Sequence, residues 1–202
     1  KYLKLNNQRI QILQLAKSSE DYFRILNPQY LKKENYFDNR DLYKNFIKSN
    51  FESNLKCSTK CIVIGTNPLS QNFDYLKNLY VETLLSIKKK YSFNSEQILF
   101  FNHPRTKLSY QIELNKSLSN YADIHPTSSI IVENYLSLDN VEIVIGSISS
   151  ALFYAKTIFN KKNVYFLHDT ILSDIQKKMN NNERHNNDIK TFKNVGIKKF
   201  FD

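Results

Sequence analysis

Cys61-Ile62-Val63-Ile64-Gly65 runs four apolar residues, two of them isoleucine and one valine, straight into a glycine. A strand with one wet face alternates apolar and polar residues. A run that is apolar at every position belongs to a strand covered on both faces, as in a parallel sheet flanked by helices. Beyond a polar loop, Leu76, Leu79, Tyr80, Leu84 and Ile87 recur at the three-and-four spacing of a helix face. Lys88, Lys89 and Lys90 close that helix, where cations suit the carboxyl end of the dipole. Residues 97–101, apolar from Ile98 to Phe101, read as a second covered strand. Strand, helix, strand in this order is a parallel crossover unit.

The same alternation returns further on. Residues 129–132 read as a short strand, 133–138 as a short helix, and 141–145 as an apolar strand closed by Gly146. Leu152, Ala155, Ile158 and Phe159 space a helix over 149–159, and 164–167 form a further strand. Residues 110–126 read as a loop, and those beyond Ser173 as a polar tail with a mobile loop at 180–182 and a last short element near Phe200. The fold class expected is α/β: a Rossmann-like parallel sheet over 60–202 with helices on both faces. Residues 1–59 read as a helical connector or arm, with one amphipathic helix marked by Leu3, Ile10, Leu13 and Ala16, then turns at Pro28 and at 36–40.

Composition narrows the function classes less sharply. The formal charge of +10 favours ligands that carry phosphate, anionic membrane surfaces or nucleic acid. The lysines are dispersed and do not alternate with aromatics, which speaks against a nucleic-acid groove. Cys57 and Cys61 have no second ligand pair, so a structural zinc site is not expected, and Cys61 reads as a small buried residue. With no signal peptide or membrane-spanning run in the sequence, the expected location is cytoplasmic, open to peripheral association at the inner face of the membrane. The Tyr- and Phe-rich first sixty residues leave room for a homo-oligomer contact.

In an open parallel sheet, ligands bind beyond the carboxyl ends of the strands. The residues at those exits are Gly65-Thr66-Asn67-Pro68, Asn102-His103-Pro104-Arg105 and Gly146-Ser147-Ile148-Ser149-Ser150. Two of the chain's three glycines sit there, either to turn the chain tightly or to let a ligand approach. Ser147, Ser149 and Ser150 open a helix, where hydroxyls and free amides suit a phosphate, the alternative being a plain serine N-cap. The chain has no glycine-rich dinucleotide fingerprint and no Walker loop. His103 titrates near neutrality and stands between a stiffening Pro104 and the fixed charge of Arg105. It is the main catalytic candidate, whereas His125, His168 and His185 are not expected to be catalytic.

Taken in order, Ile-Gly-Thr-Asn-Pro from Ile64, Ile-Leu-Phe-Phe-Asn-His-Pro-Arg from Ile98, Ile-Val-Glu-Asn-Tyr-Leu from Ile131 and Gly-Ser-Ile-Ser-Ser-Ala-Leu from Gly146 carry a resemblance. The series resembles the carboxyl-terminal half of glycosyltransferase family 52, the bacterial lipooligosaccharide sialyltransferases. It is also similar to the related capsule polysialyltransferases, which share a His-Pro and a serine motif. The likeness covers residues 60–167 and, more faintly, 18–26.

The resemblance implies one half of a GT-B enzyme that binds the CMP part of CMP-sialic acid and needs neither metal nor cofactor. It implies inverting transfer of sialic acid to a galactose-type acceptor of a lipooligosaccharide or capsule. His103 matches the histidine that stabilises the departing phosphate, Glu133 a glutamate that accepts from ribose hydroxyls, and Ser149 and Ser150 the phosphate-binding serines. The family's general base follows a Gly-x-Pro type sequence after the first strand. This chain departs there, having no acid until Asp74, which can serve as the base through a loop insertion or act as a helix N-cap. The family's amino-terminal acidic motif has no counterpart in the chain, so nucleotide binding is expected to exceed turnover. Transfer of another sugar, such as glucose, is the nearest alternative. A non-catalytic basic module for nucleic acid or membrane is the more distant one.

Overall fold

The strand that opens the sequence argument, β1 (Cys61–Ile64), is buried at all four positions. A computed structural model describes residues 58–125 and 132–201 together with Lys44, Asn45 and Ile47. The expected arm helix, the turns at Pro28 and 36–40, Cys57, and all but the last residue of the expected strand at 129–132 lie outside the described residues, and that last residue, Val132, opens a helix instead.

After β1 come a short 3-10 turn (Ser70–Asn72), α1 (Phe73–Tyr91), β2 (Ile98–Phe101), α2 (Leu108–Leu118) and β3 (Asp123–His125). Then follow α3 (Val132–Leu136), β4 (Ile143–Gly146), α4 (Ser150–Thr157), β5 (Asn163–Phe166), α5 (Thr170–Asn180), α6 (Asn182–Asn194) and β6 (Lys198–Lys199). The sheet runs β3-β2-β1-β4-β5-β6 with every pairing parallel. This is the Rossmann-like α/β arrangement expected from the alternating elements.

Side-chain alternation along the strands divides the core in two. Ile62 and Ile64 join Leu99, Phe101, Val144, Val164 and Phe166 on one face, covered by α3, α4 and α6 through Leu136, Leu152 and Phe192. Cys61 and Val63 join Ile98, Phe100, Ile143 and Ile145 on the other, covered by α1, α2 and α5 through Leu84, Leu118 and Leu172. Each such fully buried Ile or Leu contributes about 1.5–3 kcal/mol of transfer free energy, which explains why the three central strands β1, β2 and β4 hold no polar residue. Ile47, from a helical position ahead of β1, packs into the first of these clusters.

Local chemistry sets the element ends. α1 stops at Ser92, which adopts the left-handed conformation at φ 56° and returns its N–H to the Lys88 carbonyl at 3.0 Å. Asn94 and Gln97 exchange side-chain and backbone hydrogen bonds, both at 3.0 Å, as the chain enters β2. Gly196, at φ 80°, makes the left-handed turn from α6 into β6.

Three readings of the sequence are corrected. The stretch 110–126 is not a loop, since it holds most of α2 and all of β3. The tail beyond Ser173 is helical, with α5 continuing to Asn180 and α6 beginning at Asn182, so residues 180–182 join two helices. His125, within the stretch read as a loop, is instead the last residue of β3, buried and stacked on Phe101 with ring centroids 4.5 Å apart.

Candidate active site

The strand order reverses between β1 and β4, because the chain leaves β1 toward β2 on one side and returns to place β4 on the other. The loops after β1 and β4 therefore diverge and leave a crevice at the carboxyl edge, the usual ligand site of such a sheet. Gly65 and Gly146 stand at its base. A Cβ on Gly146 would lie 3.0 Å from both the Cβ and the carbonyl oxygen of Ile64, and one on Gly65 would lie 3.0 Å from Phe100 Cζ and 3.1 Å from the Phe101 oxygen. Neither glycine has positive φ. Contact with the adjacent strand is thus reason enough for glycine at both positions.

Tyr80 reaches this crevice from α1. Its hydroxyl accepts the Thr66 amide hydrogen at 2.7 Å, and the phenol is otherwise fully buried. Burial pushes its pKa up to about 12, against the smaller opposing pull of the Thr66 amide and the nearby Ser147 hydroxyl. The Ser147 oxygen faces Tyr80 without reaching hydrogen-bond geometry, and remains buried and unpartnered.

Ser149 occupies the N-cap position of α4 with extended φ and ψ of −149° and 154°, yet its hydroxyl makes no capping bond. The Ser149 oxygen is also buried and unpartnered, while Ser150 begins the helix on the exposed side. Such orphaned hydroxyls are uncommon, because each forfeits about 1–3 kcal/mol of hydration unless a ligand restores it. Ser149 thus holds the N-cap position without making the side-chain bond that a capping serine makes.

At the exit of β2, the Asn102 side chain donates to Asn115 Oδ1 of α2 at 3.0 Å, and its own Oδ1 is buried and unpartnered. His103 is half-buried, and its Nδ1 accepts the Arg105 backbone N–H at 3.1 Å. An accepting Nδ1 leaves the imidazole proton on Nε2. Burial first, then the Arg105 charge, lowers the His103 pKa below its ordinary 6.5, so the ring is a neutral Nε2–H donor at neutral pH. The His103 carbonyl accepts from Thr106 N at 2.9 Å, closing a tight turn in which Pro104 and Arg105 are exposed.

Asp74 is the second residue of α1, and Asn72 rather than Asp74 holds the N-cap position. Its exposed carboxylate pairs with Lys77 at 2.9 Å, and Lys77 also binds Glu113 of α2 at 2.6 Å. Both carboxylates hold the Lys77 pKa up. Asp74 is thus part of a surface link between α1 and α2. Glu133 is half-buried in the first turn of α3.

Asn67, with Ser70 and Gln71, lines one side of a hollow of about 400 Å³ whose other side is Arg105, Lys107 and Tyr110. Tyr110 escaped the sequence reading because it fell in the stretch read as a loop, and Lys107 was passed over although Arg-x-Lys after a strand exit was the available signal. Tyr80 escaped it because its spacing marks it as core, which it also is. Among the described residues, no group of three His, Cys, Asp or Glu is arranged to hold a metal ion.

A second polar cluster lies beyond β5. His168 and His185 stack with centroids 6.3 Å apart, Ser173 Oγ lies 3.1 Å from His185 Nε2, and His185, Ser173 and Gln176 are buried. Asp169 caps α5 by accepting from Leu172 N at 2.7 Å and also accepts from the Tyr75 hydroxyl of α1.

Residues 6–168 match the family model described as alpha-2,8-polysialyltransferase (POLYST), most of the chain. No curated protein matches it.

Proposed function

The chain belongs to the alpha-2,8-polysialyltransferase family, and from that premise we propose that it transfers sialic acid from CMP-sialic acid to a hydroxyl of a bacterial surface glycan. Membership makes it a sialyltransferase-type glycosyltransferase with a nucleotide-sugar donor and a glycan acceptor. Donor identity, inversion and metal independence are the further content of the proposal. So is the division into an arm over 1–59 and a nucleotide-sugar-binding half of a GT-B enzyme over 60–202. A lipooligosaccharide or a capsular chain is the acceptor, met at the inner face of the membrane, where the charge of +10 favours an anionic surface.

The observation that carries the reading is the pair of buried, unpartnered hydroxyls on Ser147 and Ser149 at the amino end of α4. A CMP phosphate in the β1–β4 crevice would accept from both hydroxyls and from the free amides of the first turn, which the dipole supports. Sialyl transfer passes through an oxocarbenium-like sugar and a departing phosphate, so the charge to be stabilised grows on the phosphate. His103 meets that charge with Nε2–H, its ring held by the Arg105 amide on Nδ1. Tyr80 positions Thr66 and faces Ser147, coupling the two loops around the phosphate. Glu133 keeps the expected role of accepting from ribose hydroxyls. Asp74, held on the helix surface by Lys77, is a weaker candidate for the base than the sequence suggested.

Thermal-shift titration with CMP and UDP tests the donor. At a hundred times its dissociation constant, CMP should stabilise the fold by about 2.7 kcal/mol, with UDP well behind. A preference for UDP would transfer the reading to another sugar donor. Salt-sensitive binding of arbitrary DNA with no response to CMP would replace it with a basic binding module.

A further inference from the structure

Gln111 and Asn115 stand one helical turn apart on α2, so their side chains share a face of that helix. Asn115 Oδ1 accepts from the Asn102 side chain at 3.0 Å, and Gln111 Nε2 donates to the Thr106 carbonyl at 2.7 Å. The two amides thus grip the first and last residues of the stretch 102–106. Between those grips the chain closes on itself, through Thr106 N to the His103 carbonyl at 2.9 Å and Arg105 N to His103 Nδ1 at 3.1 Å.

We infer that Gln111 and Asn115 are positioning residues, which set the place and angle of the His103 ring through the turn they grip. The use made of that ring rests on the proposed transferase reading, in which its Nε2–H meets the departing phosphate. Its placement rests on the geometry alone.

Packing does not hold the turn. Pro104 and Arg105 are exposed and His103 is half-buried, so the stretch has no buried apolar side chain to anchor it. Nor does the polar set favour stability, because Asn102 Oδ1 and Thr106 Oγ1 are buried without a partner. A partly satisfied polar cluster is less stabilising than apolar groups of the same shape. What the amides supply is direction, since a hydrogen bond constrains angle as well as distance. α2 gives them a firm base: Tyr110 stacks on Phe73 of α1 at a centroid separation of 4.4 Å, and Glu113 pairs with Lys77 of α1 at 2.6 Å. Such support matters at a reacting centre, where a displacement of about 1 Å can cost about a hundredfold in rate.

Two grip variants of the full chain provide the test. Asn115→Leu and Gln111→Met each remove one grip without adding charge, and neither side chain is fully buried, so the fold should survive. Leu114→Val, which loosens the buried side of α2 and leaves both amides in place, is the structural comparison. The quantities read are the His103 pKa from its ring C–H resonance, assigned with His103→Gln, the CMP dissociation constant, and the rate of CMP release from saturating CMP-sialic acid. A ring that loses the Arg105 amide loses a bond that favours its neutral form, so in both grip variants its pKa should rise toward 6.5. The rate should fall about tenfold or more while CMP affinity stays within about threefold, because the Nε2–H acts on charge that grows only as the phosphate departs. Leu114→Val should melt lower than wild type yet keep both the ring pKa and the rate. An unmoved ring pKa in the grip variants overturns the inference, as does an undiminished rate, or a Leu114→Val protein that loses rate in step with its melting temperature. Should wild type release no CMP while the grip variants still shift the ring, the transferase reading fails and the placement of His103 stands.

Discussion

The Thr66 amide donates to the Tyr80 hydroxyl at 2.7 Å, tying the first residue beyond Gly65 to the middle of α1. The same phenol faces the Ser147 hydroxyl, so one buried side chain senses both loops of the switch-point crevice. Tyr80 also packs edge-on against Phe100 at 5.0 Å, which anchors it independently of its hydroxyl.

Tyr80→Phe should therefore preserve the core and remove only the polar contact. Losing one acceptor of a backbone amide costs about 1–2 kcal/mol, or a few degrees in melting temperature for a chain of this size. Nucleotide affinity should fall severalfold with it, because Thr66 is no longer held. Thermal denaturation and calorimetric CMP titration check both. An unchanged melting temperature together with unchanged affinity would remove Tyr80 from the site.

Ser147 and Ser149 separate a structural from a ligand-binding role unusually well. A serine that caps a helix loses about 0.5–2 kcal/mol on truncation to alanine. The Ser149 hydroxyl makes no capping bond, and the Ser147 hydroxyl has no partner. The expected outcome for Ser149→Ala, and for Ser147→Ala, is a melting temperature equal to or slightly above wild type with CMP affinity reduced about fivefold or more, the worth of one charge-assisted hydrogen bond. Destabilisation with unaltered CMP binding would return the serines to the fold.

These positions also show what the sequence made legible. The covered strands were readable because the apolar runs at Cys61–Ile64 and Ile98–Phe101 have no polar residue to blur them. The strand-exit rule then named His103 and the serine cluster, since order along the chain maps onto one edge of a parallel sheet. α2 was missed because Leu108 and Ile112 are exposed while Leu114 and Leu118 are buried, so its apolar residues do not share one stripe. α6 was missed because it buries only His185 and Phe192 and is otherwise asparagine-rich and charged, a pattern indistinguishable from a polar tail. The Thr66–Tyr80 contact depends on the crossover that returns α1 over β1, and local spacing does not report such contacts.

His103 has a testable protonation state. Because Nδ1 accepts from the Arg105 amide and the pKa is lowered from 6.5, the form that the proposed transfer would use is the neutral ring with its proton on Nε2. Turnover should then hold level as pH rises from 6.5 to 8 in this respect, instead of falling as an imidazolium acid would require. His103→Ala should lower kcat by about a hundredfold or more, within the usual range for a positioned acid or hydrogen-bond donor, with the fold intact. A kcat that falls tenfold per pH unit above the His103 pKa would show the cation to be the active form.

The cluster between α5 and α6 should make stability fall in mild acid. His168 is held below its ordinary 6.5 by burial, then by Lys199, His185, Lys193 and Lys177, and His185 by burial and Lys177, with Asp188 opposing. His103 is lowered as well. A histidine with a depressed folded pKa binds fewer protons when folded, so its stabilising contribution is complete above 6.5 and is lost as pH falls through the folded value. Asp188 is shifted the other way, upward from 3.8 by burial, so its contribution is complete below 3.8 and is lost as pH rises through its folded value. Melting temperature measured from pH 8 down to pH 5 should drop below 6.5, and His185→Gln, which keeps a polar group beside Ser173, should flatten that drop. A variant curve parallel to wild type would show that His185 does not govern the acid limb.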